Sequence, residues 1–203
     1  MTAFAPVLRV DDPAAALGWF AGLPGLRVDA ARGRVICGAE RIIVAATGAA
    51  VPGLRAVPFD HLALRVGRLD APLAALLAAG ARLHGGYTPD GPREIPEFWD
   101  HGVRFAFLTG PGGVPVELCE RLGAEGPETV TGIDHLGLRC ADVPATAARL
   151  SGPATERLAG HRLGGGVEVL FLRDGGLVWE LFDEPPAPDT ASQATGWAGV
   201  APV

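Results

Sequence analysis

The sequence predicts an α+β protein assembled from three diverged copies of one βαβββ unit, and three observations carry that reading. FDHLALRV (59–66) and IDHLGLRC (133–140) share Asp, His, Leu, Leu and Arg in register, and FAPVLRV (4–10) matches them at Leu8, Arg9 and Val10. Each is followed by an Asp-Pro helix start: Asp12-Pro13, Asp70-Ala71-Pro72 and Asp142-Val143-Pro144. Asp can accept from the free N–H groups of a first turn, and Pro suits the first helical positions. FLTGPGGVPVEL (107–118) and FLRDGGLVWEL (171–181) then read as hairpins with Gly at the turn, and VICGAERIIVA (35–45) is the corresponding piece of the first copy.

Taken in order, copy one spans 3–47. Its helix has apolar spacing at Leu17, Phe20 and Ala21, and its strands VLRV, RVICG and RIIVAA include exposed-edge candidates. Copy two spans 58–121, with the helix APLAALLAAGA (71–81) between Asp70 and Arg82. Copy three spans 132–183. The joins at 48–58 and 121–131 read as turns and linkers. The Pro/Ala/Gly-rich tail 184–203 has no periodicity and is expected to be extended or mobile; Trp197 within it reads either as docking on the surface or on a partner or, more plainly, as part of a dangling tail.

Composition narrows the function. The 203 residues include 29 Gly and 18 Pro, which suits a folded chain rich in tight turns. Net charge is −6, pI is near 5.3 and Lys is absent, so nucleic acid and anionic membranes are poor partners. Cys37, Cys119 and Cys140 are odd in number and far apart, as expected of reduced thiols in a cytoplasmic protein. The first residues lack a signal-peptide layout, and no apolar run approaches the roughly 20 residues that span a bilayer.

Strand alternation turns the repeat into chemistry. His61, Ala63 and Arg65 face one way and Leu62, Leu64 and Val66 the other; His135, Gly137 and Arg139 repeat this against Leu136, Leu138 and Cys140. The Leu face is the one a helix must cover, so the His face is concave. Glu117 and Glu180 lie on that same face of the last strands. Copy one has Ala5 and Val44 at the matching places and offers no ligand. His61, Glu117, His135 and Glu180 are therefore candidate ligands for one divalent ion: Ni, Co, Mn, Fe(II) or Zn.

These motifs, DHLxLR on the first strand and VEL or VWEL on the last, resemble the vicinal-oxygen-chelate superfamily of glyoxalases, bleomycin-resistance proteins and extradiol dioxygenases, and the ligand pattern is similar to glyoxalase I-like members. The resemblance covers about 3–183. It implies that copies two and three pair into a cupped mixed sheet with helices on the convex face, and that copy one lacks a mate in the chain. An open apolar edge invites pairing, so a homodimer is expected. It also implies a metal-dependent isomerase or lyase acting on a small substrate with vicinal oxygens through a metal-stabilised enediolate, with Glu180 the catalytic base and Glu117 the second carboxylate. Two alternatives stand. An Fe(II) extradiol-type dioxygenase would need only His61, His135 and Glu180, and a non-catalytic drug binder would need no metal.

The excess length of copy two lies in 85–102, which carries Tyr87, Arg93 and Trp99 as candidate substrate-binding residues. This segment reads either as a lid or as an enlarged connection whose aromatics cover the core. Arg65 and Arg139 sit roughly 13 Å beyond each His, suited to an anionic substrate tail or, since Arg9 repeats the position, to a structural role. Asp60 and Asp134 are expected on the opposite face, and His84 and His161 on the surface.

Overall fold

The structure, a computed structural model, describes residues 3–184 and 195–203. Its elements are β1 (Phe4–Val10), α1 (Pro13–Ala21), β2 (Leu26–Asp29), β3 (Arg34–Cys37), β4 (Glu40–Ala46), β5 (His61–Val66), α2 (Asp70–Ala78), β6 (Arg93–Ile95), β7 (Val103–Thr109), β8 (Pro115–Arg121), β9 (Val130–Cys140), α3 (Val143–Leu150), β10 (Glu156–Arg162), β11 (Glu168–Asp174), β12 (Leu177–Asp183) and β13 (Gly196–Pro202). The order βαβββ occurs three times. Asp12 and Asp142 cap their helices by accepting from Ala15 N at 2.9 Å and Ala145 N at 2.7 Å. Asp70 does not cap: it is already helical and pairs with Arg104 at 2.7 Å, while Glu120 accepts the Leu69 N–H.

The second and third units share one eight-stranded sheet, ordered β10-β11-β12-β9-β5-β8-β7-β6. Its centre is the antiparallel pair β5–β9, and each of these strands is flanked by the parallel last strand of its own unit. The Leu face packs into the main core: Leu62, Leu64, Leu118, Leu136 and Leu181 are fully buried there with Leu73 and Leu76 of α2 and Val143 of α3. Each such side chain contributes on the order of 1.5–3 kcal/mol by leaving water. The other face is the inside of a cup, lined by a smaller apolar cluster that includes Ala63, Val103, Cys119, Val169 and Phe171.

The first unit forms its own sheet, ordered β13-β1-β4-β3-β2. Here the described end of the tail is a docked strand and not a dangling one. Residues 185–194 lie outside the described ones, but β13 is an ordered strand antiparallel to β1, and Trp197 is 4% exposed, stacked on Phe59 at 5.2 Å with its indole N–H donating to the Pro115 carbonyl. β13 lies on β1 as β9 lies on β5. Ala5 pairs with Ala201 as His61 pairs with Gly137, Val7 pairs with Gly199 as Ala63 pairs with His135, and both ladders shift register at the next step. The tail thus supplies a lone first strand where a mate unit would sit. One of the strands read as an exposed-edge candidate, VLRV in β1, is covered by β13, and β13 is bridged in turn by Arg55.

The same register corrects one alignment. Ala63 pairs with Glu117 in the second unit, and its counterpart Val7 pairs with Ile43 in the first, so the lost carboxylate position is Ile43 and not Val44. Val44 lies on the helix-covered face in the main core. The hairpins differ in turn length, which moves a motif alignment by one residue and so to the other face. No imidazole could stand at Gly199: a Cβ there would lie 2.1 Å from the Arg55 carbonyl oxygen.

Candidate metal centre

Four side chains from the four central strands meet inside the cup. His61 Nε2 lies 3.3 Å from His135 Nε2, 3.3 Å from Glu117 Oε2 and 3.4 Å from Glu180 Oε2; His135 Nε2 is 3.4 Å from each carboxylate. All four residues are buried, none more than 9% exposed. Strand pairing causes the convergence. Glu117 lies beside Ala63, two residues after His61, and Glu180 beside Gly137, two residues after His135. A Cβ at Gly137 would fall 2.0 Å from the His61 ring, so glycine there makes room for the imidazole.

Both rings are oriented from behind. His61 Nδ1 meets Asp60 Oδ2 at 2.9 Å, and His135 Nδ1 meets Asp134 Oδ1 at 3.2 Å. Alternation placed these Asp on the opposite face; β-bulging overrides it. Ala63 pairs with His135 and Leu64 with Ile133, so Asp134 is an extra residue in β9. At the other end Asp60 N–H donates to the Gly137 carbonyl at 2.7 Å, although Gly137 is already the partner of His61. Each Asp is then held by an Arg of the other unit: Arg139 Nε donates to Asp60 at 2.7 Å, and Arg65 Nε to Asp134 at 3.1 Å. Tyr87 O–H also donates to Asp60, and Arg121 makes two bonds of 3.1 Å to Asp134.

This wiring tests whether a cation fits. A carboxylate accepting from Nδ1 fixes the proton there and leaves the Nε2 lone pair facing forward. Two such lone pairs and two carboxylates then point at one another, an arrangement that repels unless positive charge sits among them. Donors about 2.0–2.2 Å from a shared ion stand roughly 2.8–3.6 Å apart, which matches the spacings here. Without a metal, protons on the imidazoles would meet the same demand. Burial alone pushes the His61 pKa down, but the bonds from Asp60, Glu117 and Glu180 carry it up to about 10. Burial likewise opposes charge on His135, and Glu180 and Glu117 raise it well above its ordinary value. Burial raises and the His135 charge lowers both carboxylates; the lowering wins, taking Glu180 to about 2. The residues present therefore fit a divalent ion, with His61, His135 and Glu180 presenting donors within 4.8 Å of one another and Glu117 touching both imidazoles. A second grouping, Cys119, Asp134 and His135, does not fit, because Arg65 and Arg121 already occupy Asp134 and burial holds the Cys119 thiol protonated.

The site opens into a cleft of about 430 Å³ lined by Phe98, Trp99, Phe105, Phe107, Phe171 and Phe182 among others. The 85–102 segment reaches across the cup: Phe98, 4% exposed, packs edge-on against Phe171 of the third unit at 5.2 Å, and Trp99 lies 4.9 Å from the same ring. Trp99 holds a φ of 56°, rare for a side chain of its size, under the Arg121 guanidinium at 4.1 Å. Of the three candidate substrate residues, Arg93 is exposed at the cleft and has no ion pair among the described residues. Tyr87 stacks on Phe107 at 4.3 Å and spends its hydroxyl on Asp60 and Arg139. Arg65 and Arg139 brace the Asp residues behind the imidazoles. His161, expected on the surface, is half-buried and packs against Phe98 at 5.0 Å. The repeated Asp-His dipeptide, absent from copy one, was the available signal for the two orienting carboxylates.

No protein-family model matches this sequence, and no curated protein matches it. Solved structures do. Glyoxalase I from Zea mays overlays 98% of this chain and 72% of its own at a TM-score of 0.61 and 15% identity, and a mutant of the same enzyme gives 0.60 and 14% over the same shares. A methylmalonyl-CoA epimerase in complex with methylmalonyl-CoA overlays 64% of this chain and 96% of its own at 0.44 and 23%. No helix among the described residues is long and apolar enough to cross a membrane. With its βαβββ units and the cup that two of them form, the chain has the fold of glyoxalase I.

Proposed function

We infer that the protein is a metal-dependent isomerase or lyase of glyoxalase type, acting on a small substrate with oxygens on neighbouring carbons. One observation carries this: two imidazoles and two carboxylates converge within 3.3–3.4 Å contacts at the floor of a cleft. A bound divalent ion would hold the two substrate oxygens and make the C–H beside them more acidic. The chain's own part is proton transfer and enclosure. Glu180 takes the proton from one carbon and returns it to the next, so the reaction needs no oxidant. Its side chain is 11% exposed against 7% for Glu117, which favours Glu180 as the more accessible base. Phe98, Trp99 and Phe171 exclude water, and the aromatic lining suits a substrate with an apolar body. The dioxygenase reading would use Tyr87 on the substrate, but that hydroxyl is committed to Asp60 and Arg139.

The test is a screen of 2-hydroxy ketones, 2-oxo aldehyde adducts and catechols on metal-reconstituted protein, with an oxygen electrode alongside. Turnover without oxygen uptake, lost in Glu180→Gln, is the expected result. Oxygen consumption with a catechol, or full activity in Glu180→Gln, would overturn the reading.

A further inference from the structure

The first unit carries no ligand, yet two of its turns press on β9, the strand that holds Asp134 and His135. Val130 N–H donates to the Pro24 carbonyl at 2.8 Å. Gly25 (φ 92°) and Gly38 (φ 60°) adopt left-handed backbone at these contacts, and a Cβ on them would lie 2.3 Å from the Val130 carbonyl oxygen and 2.5 Å from that of Thr131. Glu40 follows the second turn as the first residue of β4, and its carboxylate accepts the Ile133 N–H at 2.5 Å. That amide adjoins the bulge at Asp134. From it a continuous set of bonds reaches the imidazole. Arg65 donates from one nitrogen to the Ile133 carbonyl at 2.9 Å and from Nε to Asp134 at 3.1 Å, and Asp134 accepts from His135 Nδ1 at 3.2 Å. Among the described residues His61 has no such link to the first unit, since Asp60 is held by Tyr87 and Arg139 of the second and third.

We propose that Glu40 is a positioning residue for His135: the first unit acts through it to pin the bulge that turns Asp134 toward the ring. Extra-shell partners of a ligating His set its tautomer and direction, and here one of those partners is itself aimed from a neighbouring sheet. The proposal gives the first unit a task in the site, and its metal arm rests on the metal-centre reading above.

The test uses the full chain. In metal-free protein, imidazole nitrogen NMR reads His135 and His61 separately, with His61 as internal control. Glu40→Ala is expected to shift or broaden the His135 Nδ1–H signal and leave that of His61 in place, and Glu40→Gln, whose amide oxygen still accepts, is expected to restore it. Zn(II) or Co(II) should bind Glu40→Ala about tenfold more weakly than wild type. Should Glu40→Ala not fold, Glu40→Asp, one methylene short of the Ile133 amide, carries the same comparison. An unmoved His135 signal, or equal movement of both imidazoles, overturns the proposal. A wild type that binds neither ion refutes the metal centre, and the His135 signal still decides the role of Glu40.

Discussion

Asp60→Asn isolates the orientation of one imidazole from its presence. Asp60 accepts from His61 Nδ1 at 2.9 Å, Arg139 Nε at 2.7 Å and the Tyr87 hydroxyl, and its side chain is 8% exposed. Burial opposes its charge, but the bonds from His61 and Tyr87 and the charge of Arg139 hold its pKa at about 2, so it is an anion at every working pH. Asn has the same shape with one acceptor oxygen instead of two. Either its NH2 faces Arg139, donor against donor, or it faces His61 and moves the ring proton to Nε2, where the ion would bind. Each outcome weakens metal binding, by about 10- to 100-fold on the scale known for carboxylates behind a ligating His, or about 1.4–2.8 kcal/mol. Competition against a chromophoric chelator measures it at fixed pH. Asp142→Asn is the matched control, since Asp142 caps α3 and touches none of the four ligands. Wild-type affinity in Asp60→Asn would refute the argument that the carboxylates behind the rings prepare the site.

Two further outcomes follow. With His61 raised from 6.5 to about 10 in the metal-free fold, the folded chain holds a proton more tightly than the unfolded one, so this stabilisation is complete below pH 6.5 and disappears as pH rises toward 10. The Tm of chelator-treated protein should fall over that window while the advantage conferred by added metal grows, because protons and metal compete for the same nitrogens; a flat or rising chelated Tm would count against it. Deleting 195–203 uncovers β1, and light scattering should then report self-association that the full chain does not show through that edge; a monomeric, equally stable deletion would contradict the role given to β13.

Much of the site was legible because period-two alternation and an internal repeat reinforce each other. Two independent copies of His and Glu, each on the face away from Leu, define a shared surface before any coordinate is known. The features that were not legible depend on non-local pairing. The bulge at Asp134 inverts the alternation locally, and only the opposing strand β5 reveals it. Val44 and Ile43 differ by one residue of turn length, which motif matching cannot resolve. β13 has no periodicity of its own, because GWAGVAP is small and apolar and becomes a strand only against β1. In the 85–102 segment, Phe98 packs in the apolar cluster inside the cup and also lines the cleft, a double placement that length and composition alone do not reveal.

The claim on which all of this turns is that His61, His135, Glu117 and Glu180 hold one divalent ion. Elemental analysis of protein reconstituted and freed of excess metal measures it directly, with wild type compared against the His61→Ala/His135→Ala double variant. About one ion per chain in the wild type and none in the variant is the expected result. Equal metal content in the two, or none in either, would contradict it.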